Sequence, residues 1–177
     1  MTKYVAFLRG VNLGKRQIKM AELKALLEKE GYEDVRTLLA SGNVVLTAKE
    51  ADPLKLRGEL EIVIREKFGF HVPVILRTEK EIDTLITSDP FEGVKLTPKT
   101  RLYITLLSEL PKSKLKVPYK SMGGEFVIRE ITNGHIVSIL GPKVSSPDVM
   151  DFLGKKFGKE ITTRNWNTII KIHKAMA

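Results

Sequence analysis

The sequence predicts an α+β protein, and three observations carry that class. Over residues 1–77 the apolar runs follow the order strand, helix, strand, strand, helix, strand. The same order recurs more faintly from Arg101 to Thr162. A capped helix after Thr78 links the two halves, and a helical stretch from Trp166 to Met176 closes the chain. The βαββαβ order is that of the ferredoxin-like α–β plait. Two plait domains are therefore expected, residues 1–77 and residues 78–177, the latter carrying the linking and C-terminal helices.

Each element has its own signal. KYVAFLR is an apolar run of strand length, and Met20, Leu23 and Leu27 then repeat at helical spacing until Gly31. VRTLLA and NVVLTA read as strands joined by a tight Ser41-Gly42-Asn43 turn. Leu56, Leu60, Ile64 and Phe68 mark a second helix with Gly69 as its stop, and VPVILR is a fourth strand. Thr78 and Glu81 make a capping box for the linking helix, which ends near Pro90. In the second half RLYITLL is a strand, and the Lys-rich 111–120 segment is a short helix or a loop. FVIREI and HIVSIL form a hairpin at Asn133-Gly134. Ser146-Pro147 opens a helix running to Phe157, and Glu160–Thr162 is a brief last strand.

Composition narrows the function classes. The chain has no Cys, so disulfides and thiolate metal sites are excluded. It has no apolar run near the ~20 residues of a membrane helix and no recognisable signal peptide at its start, so the expectation is a cytoplasmic protein without a membrane partner. The net charge of +9 raises the question of nucleic acid. However, 21 of the 30 basic residues are Lys, which suits solvated charge better than bidentate recognition. The excess is spread over both halves, with one concentration from Lys95 to Lys120. Weak, non-specific nucleic-acid binding is the most this pattern supports.

LRGVNLG after the first strand, TLLASGNVV across the hairpin and TTRNWNT near the end resemble the domain of unknown function 1697 family. The three motifs share the family's order and spacing, and the likeness runs over essentially the whole chain. The resemblance implies a pair of plait domains and implies no activity, cofactor or catalytic residue. One departure is Leu39-Ala40 ahead of SGN, where the family often has a more polar residue.

The plait topology brings the end of the first strand, the turn between strands two and three, and the start of strand four to one edge of the sheet. Arg9, Gly10, Asn12, Gly14, Lys15 and Lys19 are thus expected beside Ser41, Gly42, Asn43 and His71, with Arg164 of the TTRNWNT motif as a further candidate. These are donors without a carboxylate among them, and the glycines let backbone N–H groups approach a ligand. A phosphate or carboxylate suits such a site. The plain structural reading stands beside it: Gly42 and Asn43 serve the hairpin, Arg9 pairs locally, Thr163 or Asn165 caps the last helix, and Trp166 anchors a core.

Other chemistries lack their residues. His71, His135 and His173 have no metal-ligand spacing, RGVNLGK is not a phosphate-binding Walker loop, and no GxSxG elbow is present. Strand three and HIVSIL lack the aromatics of an RNA-recognition sheet. No metal and no cofactor is expected. Three readings remain: a protein binding a phosphorylated or anionic ligand, an interaction scaffold without a ligand, and a phosphoanion hydrolase by analogy with acylphosphatase, whose phosphate cradle follows the first strand. Catalytic residues and oligomeric state are left unassigned.

Overall fold

The computed structural model describes residues 1–177, a mixed α+β structure with two antiparallel sheets and five helices. The chain divides into two compact units, Met1–Thr84 with Ile170–Ala177, and Leu85–Ile169. The division falls later than the expected boundary after residue 77, and the final eight residues return to the first unit.

In the first unit, β1 (Thr2–Leu8) is followed by α1 (Met20–Lys29), β2 (Glu33–Leu38), β3 (Asn43–Ala48), α2 (Pro53–Phe68), β4 (Val74–Thr78) and the start of α3 (Glu79–Thr87). The strand order is β2-β3-β1-β4, every pair antiparallel. Alternation along β1 puts Tyr4, Ala6 and Leu8 on one face, where they pack with Leu23 and Leu27 of α1 and Leu56, Leu60 and Ile64 of α2. Each such leucine contributes about 1.5–3 kcal/mol by its burial. The opposite face of the strands, Val5, Phe7, Val45 and Ile75, is buried too, which is why β1 and β3 read as continuous apolar runs rather than alternating ones.

Helix ends follow local chemistry. The Asp52 carboxylate accepts the Leu54 N–H at 3.0 Å ahead of α2, with Pro53 in the first turn. Thr78 and Glu81 form the expected reciprocal box: the Thr78 N–H donates to the Glu81 carboxylate at 2.7 Å, and the Glu81 N–H donates to Thr78 Oγ1 at 3.2 Å. Strand β2 stops two residues before the expected Ala40, because Leu39 turns left-handed at φ 61°. The hairpin turn is therefore Leu39 to Gly42, closed by the Gly42 N–H on the Leu39 carbonyl at 3.3 Å.

The second unit holds β5 (Arg101–Leu107), β6 (Tyr119–Lys120), β7 (Phe126–Ile131), β8 (His135–Leu140), α4 (Ser146–Phe157), β9 (Ile161–Asn165) and the start of α5 (Trp166–Met176). Its sheet order is β6-β7-β8-β5-β9, five strands where four were expected. The Lys-rich segment, expected as a helix or a loop over 111–120, is loop as far as Pro118, and its last two residues form β6. Pro111 and Pro118 bracket it, and its few apolar side chains make no helical stripe. Lys112, Lys114 and Lys116 are exposed while Leu115 packs against the core under α4. Tyr119, Phe126 and Phe152 cluster there, with ring centroids 5.2–6.1 Å apart.

Two boundaries move. Ser145, not Ser146, caps α4, accepting the Asp148 N–H at 3.2 Å. Ser146 Oγ instead meets Tyr103 Oη at 2.9 Å. Strand β9 runs on to Asn165, so TTRNWNT lies on a strand and the first turn of α5. No helix is long and apolar enough to cross a membrane.

Candidate functional site

The antiparallel registers pair Phe7 with Asn43 and Leu8 with Val74, so the chain leaves β1 beside both the hairpin and the start of β4. The Leu8 N–H donates to the Gly42 carbonyl at 2.8 Å, and the Arg9 N–H donates to the Pro73 carbonyl at 2.9 Å. Loop 9–19, the turn at 39–42 and residues 70–73 meet at one edge of the first sheet, as the topology predicts.

The loop is held by its own side chains. Buried Val11 and Ile18 anchor it to the core, and Leu13 and Arg16 form a small bridge. Gly10, Asn12 and Gly14 take left-handed conformations, with φ of 66°, 57° and 57°. Asn12 Nδ2 donates to the Ala40 carbonyl at 2.5 Å while its Oδ1 accepts the Ile18 N–H at 2.8 Å, so this side chain ties the loop to the hairpin. Sequence reasoning missed Arg16. Its Nε donates to the Gly10 carbonyl at 2.9 Å, its Nη2 donates to the His71 carbonyl at 2.5 Å, and its guanidinium lies 4.8 Å from the Phe70 ring centroid. The signal available was its position just beyond the Leu13-Gly14 turn, which folds Arg16 back towards Gly10.

The candidate residues divide by what remains available. Arg9 is half-buried and its guanidinium has no hydrogen-bond or ion-pair partner. Lys15 and Lys19 are exposed and equally unpartnered, and Ser41 and His71 are exposed. Asn43 is different. It is fully buried, and its Nδ2 donates to the Leu38 carbonyl at 2.8 Å and to Ser41 Oγ at 3.0 Å. Its amide shapes the hairpin and does not face solvent. Gly42 is likewise structural, because a Cβ there would stand 2.7 Å from Val11 Cγ2.

Arg164 sits on β9 in the second unit, paired with Ile104. It is buried, and its Nη1 donates to Thr162 Oγ1 at 2.7 Å and to the Thr163 carbonyl at 3.1 Å. Burial pushes its pKa down to about 10, which leaves it cationic at neutral pH. It serves the second sheet and is not an exposed arm. Asn165 caps α5 by accepting the Asn167 N–H at 2.9 Å, and Trp166 packs edge-on to Phe91 with centroids 5.2 Å apart. The structural reading of this motif therefore accounts for its residues.

What the first edge offers is a field of donors. The segments 9–21, 35–49 and 67–78 contain no Asp or Glu, yet carry Arg9, Lys15, Arg16, Lys19 and His71 around this edge; a carboxylate that does reach it is Glu61 of α2, which accepts the Val74 N–H at 2.9 Å and is paired with Arg57 at 3.1 Å. Such an arrangement attracts anions.

No curated protein matches the chain. The solved structure of the conserved bacterial protein SP0830 from Streptococcus pneumoniae is similar, with a TM-score of 0.72 over 99% of this chain and 98% of that one, at 23% sequence identity. At that identity the likeness shows the fold alone. The model of the family described as Protein of unknown function (DUF1697) matches residues 1–124, which include the loop and hairpin of the first edge, and the chain belongs to that family.

Proposed function

We propose that this is a cytoplasmic binding protein that holds a phosphorylated or otherwise anionic ligand where loop 9–19 meets the 39–42 turn. The carrying observation is the absence of any carboxylate from the three segments that converge there, beside an Arg9 guanidinium without a partner. Arg9, Lys15, Lys19, Ser41 and His71 are the contacting side chains of this reading. Gly10 and Gly14 offer backbone donors, and Asn12, Arg16, Gly42 and Asn43 hold the loop and the turn in place. We read the first sheet as a ferredoxin-like plait, supported by its β2-β3-β1-β4 order and by two helices on one face. The second is then a plait without its first helix and with β6 added at one edge.

Exposed Leu13 and Leu39, at 67% and 48%, favour a second reading, an interaction scaffold whose partner covers both. The hydrolase reading has no such support, because the buried Asn43 amide has no face from which to orient a water. Weak nucleic-acid binding belongs to the first reading as a phosphate-backbone case.

The test is thermal shift against nucleotides, sugar phosphates and oligonucleotides, on the wild type and Arg9→Ala. A ligand at 100 times its Kd adds roughly 2.7 kcal/mol of stability. Arg9→Ala is expected to lose that gain while barely changing the unliganded protein. If instead the variant unfolds and no anion stabilises the wild type, Arg9 is a strut and the binding reading fails.

A further inference from the structure

We infer that the cleft at the end of β5 is a second binding site, for a phosphorylated small molecule of about nucleotide size. A repeat in the backbone leads to it. In the first unit Leu8 ends β1 and donates its N–H to Gly42, the residue before β3, while Arg9 donates to Pro73, the residue before β4. In the second unit Leu107 ends β5 and donates its N–H to the carbonyl of Gly134, the residue before β8, at 3.0 Å. Ser108 donates its N–H to the carbonyl of Glu160, the residue before β9, at 3.3 Å. The two edges are topologically equivalent, although their side chains differ.

At the second edge this arrangement surrounds a cleft of about 360 Å³. That lies within the range of small-molecule sites, which begins near ~300 Å³. Leu107, Phe157 and Ile161 give it an apolar lining, and Lys112, Lys156 and Lys159 stand around it with Glu109 and Glu160. Glu109 pairs with Lys112 at 3.3 Å, while Glu160 accepts from Ser108 Oγ at 3.3 Å and keeps its negative charge. Lys159 has no partner, and the Lys156 ammonium has only the Phe152 ring, 5.9 Å from its centroid. The carbonyl end of α4 also lies here; Lys155 in its last turn is paired with Asp151 at 2.8 Å, which leaves Lys156 to offset the negative pole. Three ammonium groups against two carboxylates leave the rim net positive over an apolar floor, and Lys159 is the ammonium without a partner. That combination fits a phosphate attached to a flat, partly apolar body, and the volume suits a nucleoside monophosphate.

This inference stands on the second unit alone and is independent of the first edge. The experiment titrates AMP into the ¹⁵N-labelled full chain, with adenosine and inorganic phosphate as separate titrants. AMP is expected to shift the amide signals of Ser108, Gly158 and Ile161. Lys156→Ala with Lys159→Ala should weaken the Kd read from those three signals at least ~10-fold, and adenosine should bind weaker by a similar factor. The inference is overturned if AMP shifts nothing up to about 10 mM, a Kd range already near the limit of specific binding. It is overturned equally if adenosine binds as tightly as AMP. Shifts confined to the first edge, at Gly10 and Gly14 with none at Ser108, Gly158 or Ile161, would also overturn it, while leaving the first-edge reading intact.

Discussion

Val11 packs directly over the Cα of Gly42, so that a Cβ at residue 42 would lie 2.7 Å from Val11 Cγ2 and 2.9 Å from Leu8 Cβ. Gly42 also holds φ at 86°, a conformation that costs an L side chain energy whatever the space. Gly42→Ala is expected to destabilise the protein by about 2–4 kcal/mol, combining backbone strain with overpacking. Gly14→Ala, at φ 57° with nothing within 4 Å of the added methyl, should cost only about 1 kcal/mol. Urea denaturation of both variants checks the ranking, and equal losses would contradict the packing account.

Arg16 and Arg9 should separate in the same way. Arg16→Ala removes donors to the Gly10 and His71 carbonyls and the stack on Phe70, and should cost about 1–3 kcal/mol. Arg9→Ala removes no side-chain bond within the protein, so its loss should stay within about 0.5 kcal/mol. Thermal melts without ligand make the comparison.

Ser138 is a misfit in the second core. Its register places it between Tyr103 and Ile128, on the same strand face as buried Ile136 and Leu140, and its hydroxyl is buried without a hydrogen-bond partner. A buried unsatisfied hydroxyl costs more than it contributes. Ser138→Ala is therefore expected to stabilise by about 1 kcal/mol, raising the midpoint by about 2–4 °C in a chain of this size. A fall in the midpoint would mean that the hydroxyl finds a partner in solution.

The loop before α2 carries an acid-sensitive contact. Lys55 Nζ meets Glu50 Oε2 at 2.8 Å and the Asp52 N–H donates to Glu50 Oε1 at 2.9 Å; the Lys55 bond first, then that N–H, hold the Glu50 pKa below the usual glutamate value. The folded pKa is the lower one, so this contribution to stability is present above the unfolded pKa and lost as pH falls through the folded value. A carboxyl NMR titration should show Glu50 titrating below the ordinary glutamate value, and Lys55→Met should move it back up. An unchanged Glu50 midpoint in the variant would sink the assignment.

Local patterns sufficed wherever a residue's neighbours in sequence are also its neighbours in space. The spacing of Leu56, Leu60 and Ile64, the Thr78–Glu81 box and the Asn133-Gly134 turn each describe contacts made within a few residues, and each is found where the sequence places it. The meeting of loop 9–19 with the 39–42 turn was legible for a different reason: strand order and direction alone determine which ends share an edge.

Side-chain direction was not legible, because it depends on long-range packing. Asn43 and Arg164 are polar residues in motif-like settings, and only the register of β1 with β3 and of β5 with β9 turns them inward to hydrogen bonds. Arg16 drew no notice in the sequence because its acceptors are main-chain carbonyls, one of them 55 residues away, which no residue type announces. The same limit hid the cleft beside Lys159, whose walls come from the end of β5 and the end of α4, more than 40 residues apart in the chain. Sequence determined which segments become strands and helices, since that depends on periodicity and capping; tertiary structure decided which polar groups are consumed by the fold and which are left to meet a ligand.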